Sequence, residues 1–297
     1  MTTTIASLPG SVTIEPGRGG LPRVAVATAA ATAEVLLQGA HVTAWVPAGH
    51  DPVVWTSQRS AYAPGVPIRG GIPICFPWFG PGPTSEAGLH GFARTSEWTL
   101  TDAREQGDDV VLELRLTDAD VPDAGAWPHP FEARLTITVG AALELRLTVA
   151  NTGSESITFE EAFHTYLGVD DVRDCELAGL EDSAFVDRLA DDEMLTPSRS
   201  ALGITAETDR LYEQPGTIRL LGPARRIDVT AAGSGNAVVW NPWIAKAAAM
   251  ADFGDDEWSR MVCVETCNVR EHAVTLDPGA SATMAATFRV SRDQEGS

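Results

Sequence analysis

The chain has 297 residues, of which 21 are basic and 41 are acidic, so its formal charge at pH 7 is −20. A protein that binds duplex nucleic acid or a membrane of anionic lipid needs clustered cations for the phosphates, so this composition disfavours both classes of partner. Hydrophobic residues make up 44% of the chain. That fraction is enough for a large core, and we expect a folded protein rather than a disordered one.

The chain start and the cysteines indicate a cytoplasmic location. The first residues lack a basic segment followed by a long apolar one, and no apolar run reaches the roughly 18–20 residues of a membrane span. The four cysteines are Cys75, Cys175, Cys263 and Cys267. Four are too few for a disulfide scaffold in a chain of this length. We expect reduced thiols. A zinc site at Cys263 and Cys267 is the competing interpretation, disfavoured because no second Cys or His pair lies nearby at zinc-finger spacing.

Alternating runs rich in β-branched residues dominate the sequence and predict strands. In chain order these runs are Val24–Thr28, Glu34–Gln38, His41–Val46, Val53–Thr56, Glu97–Thr101, Val110–Thr117, Phe131–Val139, Leu143–Ala150, Ile157–Val169, Ile218–Leu221, Ile227–Thr230, Ala237–Asn241, Met261–Val269 and Ala282–Val290. Turn signals such as Pro278-Gly279 separate them. Arg115 and Arg146 each alternate with leucines, which predicts strands with one buried and one wet face.

Helical patterns are scarce. One short helix is expected at Ile244–Met250, after Pro242, because the segment is rich in alanine. Strands do not alternate with helices, which disfavours a parallel sheet, and no low-complexity linker divides the chain. We therefore predict an all-β fold in which residues 1–297 form one antiparallel sandwich domain, with its core at about residues 20–290.

The segment Val66–Arg94 interrupts the strand pattern with proline, glycine and aromatic residues. A long loop of this kind inside a compact domain is usually functional or disordered, and its aromatic content argues against disorder. It carries Arg69, His90 and Arg94. An arginine fork suits a phosphate or a carboxylate group of a ligand, whereas the alternative is that each arginine pairs with one of the many acidic side chains.

A second candidate is His164, in the run Phe159–Leu167. In a continuous strand His164 shares a face with Tyr166, and a central strand can expose such a face to a groove. A histidine there can act as a general acid near neutral pH. The alternative is a core histidine that is hydrogen-bonded to backbone.

A third candidate is Glu265, which shares one strand face with Cys263 and Cys267. Charged residues are seldom buried without a partner, and partial burial would raise the pKa of this carboxyl group, as suits a general base. The alternative is a structural ion pair with an arginine.

Two further segments carry weaker signals. Asp209 precedes an apolar strand and either binds sugar hydroxyls or lies in a surface turn. The aromatic turn Trp240–Trp243 suits the apolar face of a sugar, although a core role is equally consistent. The acidic cluster Glu181–Glu193 lacks the pattern of a calcium loop and is interpreted as a solvated face.

Taken together and in this order, the motifs resemble those of the D-hexose-6-phosphate mutarotases, also called glucose-6-phosphate 1-epimerases, an aldose-1-epimerase-like family. The matching elements span most of the chain and are Arg69–Gly80 (beginning Arg-Gly-Gly), His90-Gly91-Phe92-Ala93-Arg94, His164-Thr165-Tyr166, Glu207–Tyr212, Trp240-Asn241-Pro242 and Val264-Glu265. The resemblance implies a galactose-mutarotase-like β-supersandwich with a concave sugar groove.

The resemblance also implies a role for each matching position. His164 would be the general acid and Glu265 the general base. Substrate-binding roles would fall to Asp209 at a sugar hydroxyl, His90 facing the sugar, and the two loop arginines near the phosphate, Arg69 and Arg94.

The implied reaction interconverts the α and β anomers of an aldohexose 6-phosphate by opening and closing the ring. It uses neither metal nor redox cofactor, and the sequence contains no dinucleotide-binding fingerprint. Two alternatives stay open: a non-catalytic carbohydrate-binding protein on the same fold, and an epimerase of unphosphorylated aldoses. We expect a small hexose phosphate as the partner, no nucleic acid, no membrane and a monomer, although no sequence feature fixes the oligomeric state.

Overall fold

The computed structural model describes residues 8–121, 125–190, 192–196, 199–213 and 216–292. In chain order the strands are β1 (Val12–Pro16), β2 (Pro22–Ala27), β3 (Ala31–Leu36), β4 (His41–Pro47), β5 (Ile74–Cys75), β6 (Thr99–Gln106), β7 (Asp109–Thr117), β8 (Phe131–Val139), β9 (Ala142–Asn151), β10 (Ile157–Phe159), β11 (Glu161–Phe163), β12 (Tyr166–Gly168), β13 (Glu176–Ala178), β14 (Phe185–Asp187), β15 (Glu193–Leu195), β16 (Leu202–Gly203), β17 (Thr208–Glu213), β18 (Ile218–Leu221), β19 (Arg225–Ala232), β20 (Asn236–Asn241), β21 (Met261–Asn268), β22 (Val274–Leu276) and β23 (Ser281–Arg292).

Helices are few, as the scarcity of helical patterns in the sequence predicts. The α-helix α1 spans Trp243–Ala249, which confirms the predicted helix to within one residue at each end. The short 3₁₀ helices are Arg18–Gly20, Asp118–Asp120, Val172–Asp174, Glu257–Arg260 and Arg270–His272. No helix in the described ranges is long and apolar enough to cross a membrane.

The strands form antiparallel sheets, which confirms the predicted all-β class. A nine-stranded sheet has the order β16-β13-β18-β19-β23-β9-β8-β7-β6. An eight-stranded sheet has the order β15-β14-β17-β20-β21-β11-β5, with β12 also paired to β21. A four-stranded sheet, β1-β2-β3-β4, and the pair β10-β22 complete the architecture.

The two large sheets differ in which of their residues are buried. In β8 the buried positions alternate with partly exposed ones, and β9 shows the same period of two, so the nine-stranded sheet has one buried face. The predicted wet faces are confirmed, because the side chains of Arg115 and Arg146 remain 40% and 51% exposed. In the eight-stranded sheet, by contrast, every residue of β20 and β21 is buried. Any charged residue on those two strands must therefore be held in the interior.

The predicted continuous strand over Ile157–Val169 is wrong, because the structure divides it into β10, β11 and β12. The first break falls at Glu160. Its carboxylate accepts hydrogen bonds from the backbone N–H of Phe79 at 2.9 Å and of Arg270 at 2.7 Å. These bonds lie outside any sheet, so the chain leaves the β10–β22 pair here and enters the eight-stranded sheet as β11.

The predicted strand Val53–Thr56 is also wrong. This segment makes only isolated bridges, from Val54 to Leu167 and from Thr56 to Gly70. Its backbone instead fastens the start of the Val66–Arg94 loop to β12, since the N–H of Gly71 donates to the carbonyl of Trp55 at 2.7 Å.

Candidate active site

The break between β11 and β12 positions the imidazole of His164. The backbone N–H of His164 donates to the carbonyl of Pro73 at 2.9 Å, and the N–H of Thr165 turns back to the carbonyl of Phe163 at 2.9 Å. The ring of His164 stacks on Tyr166, with centroids 4.8 Å apart and planes within 7°. The two rings therefore lie on one face, as the strand pattern predicts, although the strand itself is interrupted.

Glu265 lies opposite His164 on the central strand β21. Its Oε1 is 3.5 Å from Nδ1 of His164, and its Oε2 is buried without a hydrogen-bond partner in the described part of the chain. No arginine in the described residues hydrogen-bonds this carboxylate. Within that part of the chain, the alternative of an ion pair between Glu265 and an arginine is therefore not observed. Burial, followed by the negative charge of Asp209, raises the pKa of Glu265 well above its usual range.

The electrostatic surroundings of His164 act in the opposite direction. Burial lowers the pKa of His164 well below its usual range, and His90, Arg69 and Arg94 lower it further. Its Nδ1 is buried without a hydrogen-bond partner. The pair therefore comprises two buried groups whose surroundings both favour the uncharged form, which is unusual outside functional sites.

His90 joins this pair from the Val66–Arg94 loop. Its ring lies edge-on to that of His164, with centroids 5.5 Å apart. Its Nδ1 accepts a hydrogen bond from the N–H of Gly80 at 3.1 Å, which places the proton of the neutral ring on Nε2. Burial, with a smaller effect of Arg94, lowers the pKa of His90 to about 3, so this histidine is a neutral donor at physiological pH.

Gly91 determines how closely the His90 turn approaches β5. Its φ is +70°, and a Cβ there would lie 1.9 Å from the carbonyl oxygen of Phe76. Gly88 has the same φ of +70° but nothing within 4 Å of its would-be Cβ. The two glycines thus separate the cost of the left-handed backbone from the cost of the clash.

We expect Gly91→Ala to lower the free energy of unfolding by about 2–3 kcal/mol, and Gly88→Ala by about 1 kcal/mol. Urea unfolding monitored by circular dichroism measures both. Equal losses in the two variants would show that the close approach at Phe76 does not hold the turn.

Arg69 is already engaged by protein partners. Its Nε donates to Oδ2 of Asp252 at 3.1 Å and its Nη2 to Oδ1 at 3.3 Å, while Nη1 donates to the hydroxyl of Tyr166 at 3.1 Å. Two of its five N–H groups remain for a ligand. The alternative raised for the loop arginines, pairing with a carboxylate, therefore holds for Arg69.

Arg94 differs from Arg69 in lacking a carboxylate partner within the described residues. Its Nη2 donates to the carbonyl of Leu89 at 2.8 Å, and its buried Nε has no hydrogen-bond partner. Burial lowers the pKa of Arg94. Its positive charge is one of those that lower the pKa of His164, and its guanidinium has donors to spare.

Asp209 reaches the site from β17 together with an arginine that the sequence analysis missed. Nη1 of Arg188 lies 3.4 Å from Oδ1 of Asp209, and the N–H of Arg188 donates to the carbonyl of Asp209 at 2.9 Å. Arg188 also lies 5.6 Å from the ring centroid of Phe79. Burial raises the pKa of Asp209 despite Arg188. The available signal was a single arginine inside the acidic cluster Glu181–Glu193.

Trp240 and Tyr166 form the aromatic floor beside the histidine. The Trp240 ring lies 6.3 Å from His164 and 6.1 Å from Tyr166, centroid to centroid. Trp240 is only 9% exposed, which favours the core role over sugar stacking for this residue. Tyr166 is the second contributor that residue patterns did not single out, since it was noted only as a neighbour of His164.

The four cysteines are buried and form no disulfide. The alternative raised from the sequence was a zinc site at Cys263 and Cys267. The structure instead groups Cys263 with His164 and Glu265, and the potential ligand atoms of these three residues all lie within 4.8 Å of one another. In the described part of the chain these are the residues that could hold a metal ion.

Similarity to known proteins identifies the family of this chain. The sequence model of a family described as aldose 1-epimerase matches residues 22–289. Two curated relatives are named "Putative glucose-6-phosphate 1-epimerase". The one from Escherichia coli K12 is 34% identical over 264 residues, 88% of this chain and 87% of that protein. The one from Cenchrus ciliaris is 36% identical over 259 residues, 83% of this chain and 78% of that protein.

Solved structures show the same architecture. The crystal structure of "a putative mutarotase (YeaD)" from Salmonella typhimurium superposes with a TM-score of 0.89 at 29% identity, covering 98% of this chain and 97% of that one. Galactose 1-epimerase from Lactobacillus acidophilus NCFM, at 14% identity and a TM-score of 0.73, shares the fold over 97% of this chain and all of that one. The fold is the galactose-mutarotase-like β-supersandwich, and the chain belongs to the aldose 1-epimerase family.

Proposed function

We propose that this isomerase interconverts the α and β anomers of an aldohexose 6-phosphate, with glucose 6-phosphate as its substrate. The observation that carries the proposal is the buried pair of His164 and Glu265, 3.5 Å apart. The histidine of this pair is affected by the charge of Arg94, which has no carboxylate partner among the described residues. The names of the relatives from Escherichia coli and Cenchrus ciliaris support the same substrate.

In the proposed mechanism Glu265 removes the proton of the C1 hydroxyl while His164 protonates the ring oxygen. The C1–O5 bond breaks to give the open-chain aldehyde, the C1–C2 bond rotates, and closure on the other face of the carbonyl reverses both proton transfers. Because Nδ1 of His164 faces Glu265, Nε2 is the nitrogen left for the ring oxygen. Each positioned acid or base contributes about 10²–10⁴-fold.

The protonation of the pair depends on the substrate. Burial favours the protonated carboxyl group of Glu265 and the neutral imidazole of His164, whereas the mechanism needs the carboxylate and the imidazolium. The two distributions hold the same number of protons, so converting one into the other requires no exchange with solvent. A bound phosphate offsets the charges of Arg69 and Arg94 that lower the pKa of His164, and therefore favours the reactive form.

Asp209, His90 and Arg69 are proposed to hold the sugar, and Arg94 its phosphate. Asp209 offers a buried Oδ1 without a hydrogen-bond partner to a hydroxyl, and His90 offers a neutral Nε2–H. The contacts favour Arg94 over Arg69 for the phosphate, because Asp252 already binds the fork of Arg69. With a net charge of −20 the surface repels a substrate of about two negative charges, so this local arginine must supply the attraction.

The cytoplasmic location and the monomeric state are part of the proposal. Four buried thiols without a disulfide suit a reducing compartment. A high net charge of one sign opposes self-association.

Anomer-exchange NMR tests the proposal. We expect the purified protein to accelerate exchange between the anomeric signals of glucose 6-phosphate well above the spontaneous rate, and to act less efficiently on glucose. Sugar binding without faster exchange would favour the non-catalytic binder. Equal efficiency on glucose and its 6-phosphate would favour an epimerase of unphosphorylated aldoses.

A further inference from the structure

Behind His164 and Glu265 lies a third group with ligand chemistry, the thiol of Cys263. On β21 it precedes Glu265 by two residues and shares its face, and its strand neighbours are Tyr166 on one side and Trp240 on the other. The sulfur is fully buried. The proposed mechanism assigns it no role.

We propose that His164, Cys263 and Glu265 form a binding site for a thiophilic divalent cation, Zn²⁺ in particular, and that the bound ion blocks anomerisation. Binding itself is independent of the proposed function, whereas the inhibition rests on it. An ion coordinated by His164 and Glu265 would occupy both groups that the reaction uses.

The first argument for this site is the spacing of its three donor atoms. Two ligands about 2.0–2.2 Å from a tetrahedral ion lie about 3.3–3.6 Å apart. Nδ1 of His164 and Oε1 of Glu265 are 3.5 Å apart already. The three ligand atoms lie within 4.8 Å of one another, and a tetrahedral ion needs about 3.6 Å between nitrogen and sulfur. A change of at most about 1.2 Å in the distance between nitrogen and sulfur therefore completes three corners, leaving the fourth for water.

The unpartnered atoms carry the second step. Nδ1 of His164 and Oε2 of Glu265 are buried and have no hydrogen-bond partner among the residues that the structure describes. Buried polar atoms normally find one, and atoms that do not are candidates for a ligand. An imidazole, a thiolate and a carboxylate form a donor set that suits Zn²⁺, whereas Mg²⁺ and Ca²⁺ prefer oxygen donors throughout.

Charge balance carries the third step. Coordination releases the thiol proton of Cys263 to solvent, and the resulting thiolate and the carboxylate of Glu265 together neutralise a dication. Arg69 and Arg188 are each paired with an aspartate, so these two arginines add little net positive charge near the ion. Arg94, which has no carboxylate partner among the described residues, is the cation whose charge still acts on His164.

Cobalt spectroscopy tests the site without reference to activity, because a thiolate bound to Co²⁺ gives a charge-transfer absorption that the many surface carboxylates cannot give. We expect this band in the wild-type protein at one Co²⁺ per chain. It should disappear in Cys263→Ser and in His164→Ala and persist in Cys175→Ser, which removes a buried thiol outside the cluster. If Cys263→Ser does not fold, Cys263→Ala serves in its place.

The inhibition is measured against buffered free Zn²⁺, with each variant compared to its own metal-free rate. Cys263→Ser should need at least about tenfold more Zn²⁺ for half-inhibition than the wild type or Cys175→Ser, since even an indirect metal partner is worth about 10–100-fold in affinity. Absence of the band in the wild type, or its persistence in Cys263→Ser, overturns the site. A cobalt band in a protein that does not anomerise sugars would instead leave the site standing and refute the proposed function.

Discussion

Replacing Glu265 with glutamine should lower kcat for anomer exchange of glucose 6-phosphate by about 100- to 10,000-fold. The amide fills the same space on β21 but cannot accept the C1 hydroxyl proton. The reactive form of the His164–Glu265 pair carries one shared proton, and burial raises the pKa at which Glu265 gives up that proton. The wild-type rate should therefore fall as pH rises past this raised pKa, and not at the usual carboxyl value of 4.5. Saturation-transfer NMR across a pH series measures both effects.

The fold should survive this change. A carboxyl group whose pKa is raised in the folded state binds more protons folded than unfolded, so its contribution to stability falls as pH rises through the usual carboxyl range. Glu265→Gln should therefore be at least as stable as the wild type at pH 8, as measured by urea unfolding.

Glu161 supplies the matched control for Glu265. It is equally buried, lies on the neighbouring strand β11, and burial raises its pKa to about 7, but its Oε1 accepts a hydrogen bond from Nδ2 of Asn268 at 2.9 Å. Glu161→Gln should keep kcat within a few-fold of the wild type. A large loss in Glu161→Gln, or full activity in Glu265→Gln, would contradict the assignment of the base.

Removal of the Arg94 side chain should raise KM for glucose 6-phosphate by about 10- to 100-fold and change KM for glucose far less. Hydrogen bonds to a charged group contribute about 1.5–3 kcal/mol, which corresponds to that range. Arg94 has a buried Nε without a partner and no carboxylate to neutralise it in the described residues, so a phosphate would gain its full charge. Steady-state kinetics of Arg94→Ala on both sugars measures the ratio.

Two further variants separate phosphate binding from other effects of charge. Arg146→Ala changes the net charge of −20 by the same amount, but it removes an exposed side chain of β9 that pairs with Glu144, so both KM values should stay unchanged. Arg69→Ala breaks the contacts with Asp252 and Tyr166 and should impair both sugars. Equal KM increases on the two sugars in Arg94→Ala would remove Arg94 from phosphate recognition.

Local sequence patterns predicted long strands such as β8 and β9 and singled out His164 and Glu265 as candidates, but they did not single out Arg188 or Tyr166. Period-two burial in β8 and β9 follows directly from the alternation of apolar and polar residues, since successive side chains of a strand point to opposite faces. The same alternation placed Glu265 with Cys263 on one face. The run Ile157–Val169 is predicted to be one strand but is broken twice. Glu160 at the first break and the backbone of His164 at the second form hydrogen bonds with segments far away in the sequence.

An antiparallel β protein, a net acidic chain and a short set of candidate side chains follow from the residues alone. One domain over the whole chain and the roles of the site residues stay predictions. The folded chain adds that His164 faces Glu265, that Arg188 joins Asp209, and that Asp252 binds Arg69, whereas Arg94 has no carboxylate partner among the described residues. These contacts could not be predicted from local patterns, because strand alternation is a property of neighbouring residues. Proximity between strands depends instead on sheet order and register, which are set by hydrogen bonds between segments far apart in the chain.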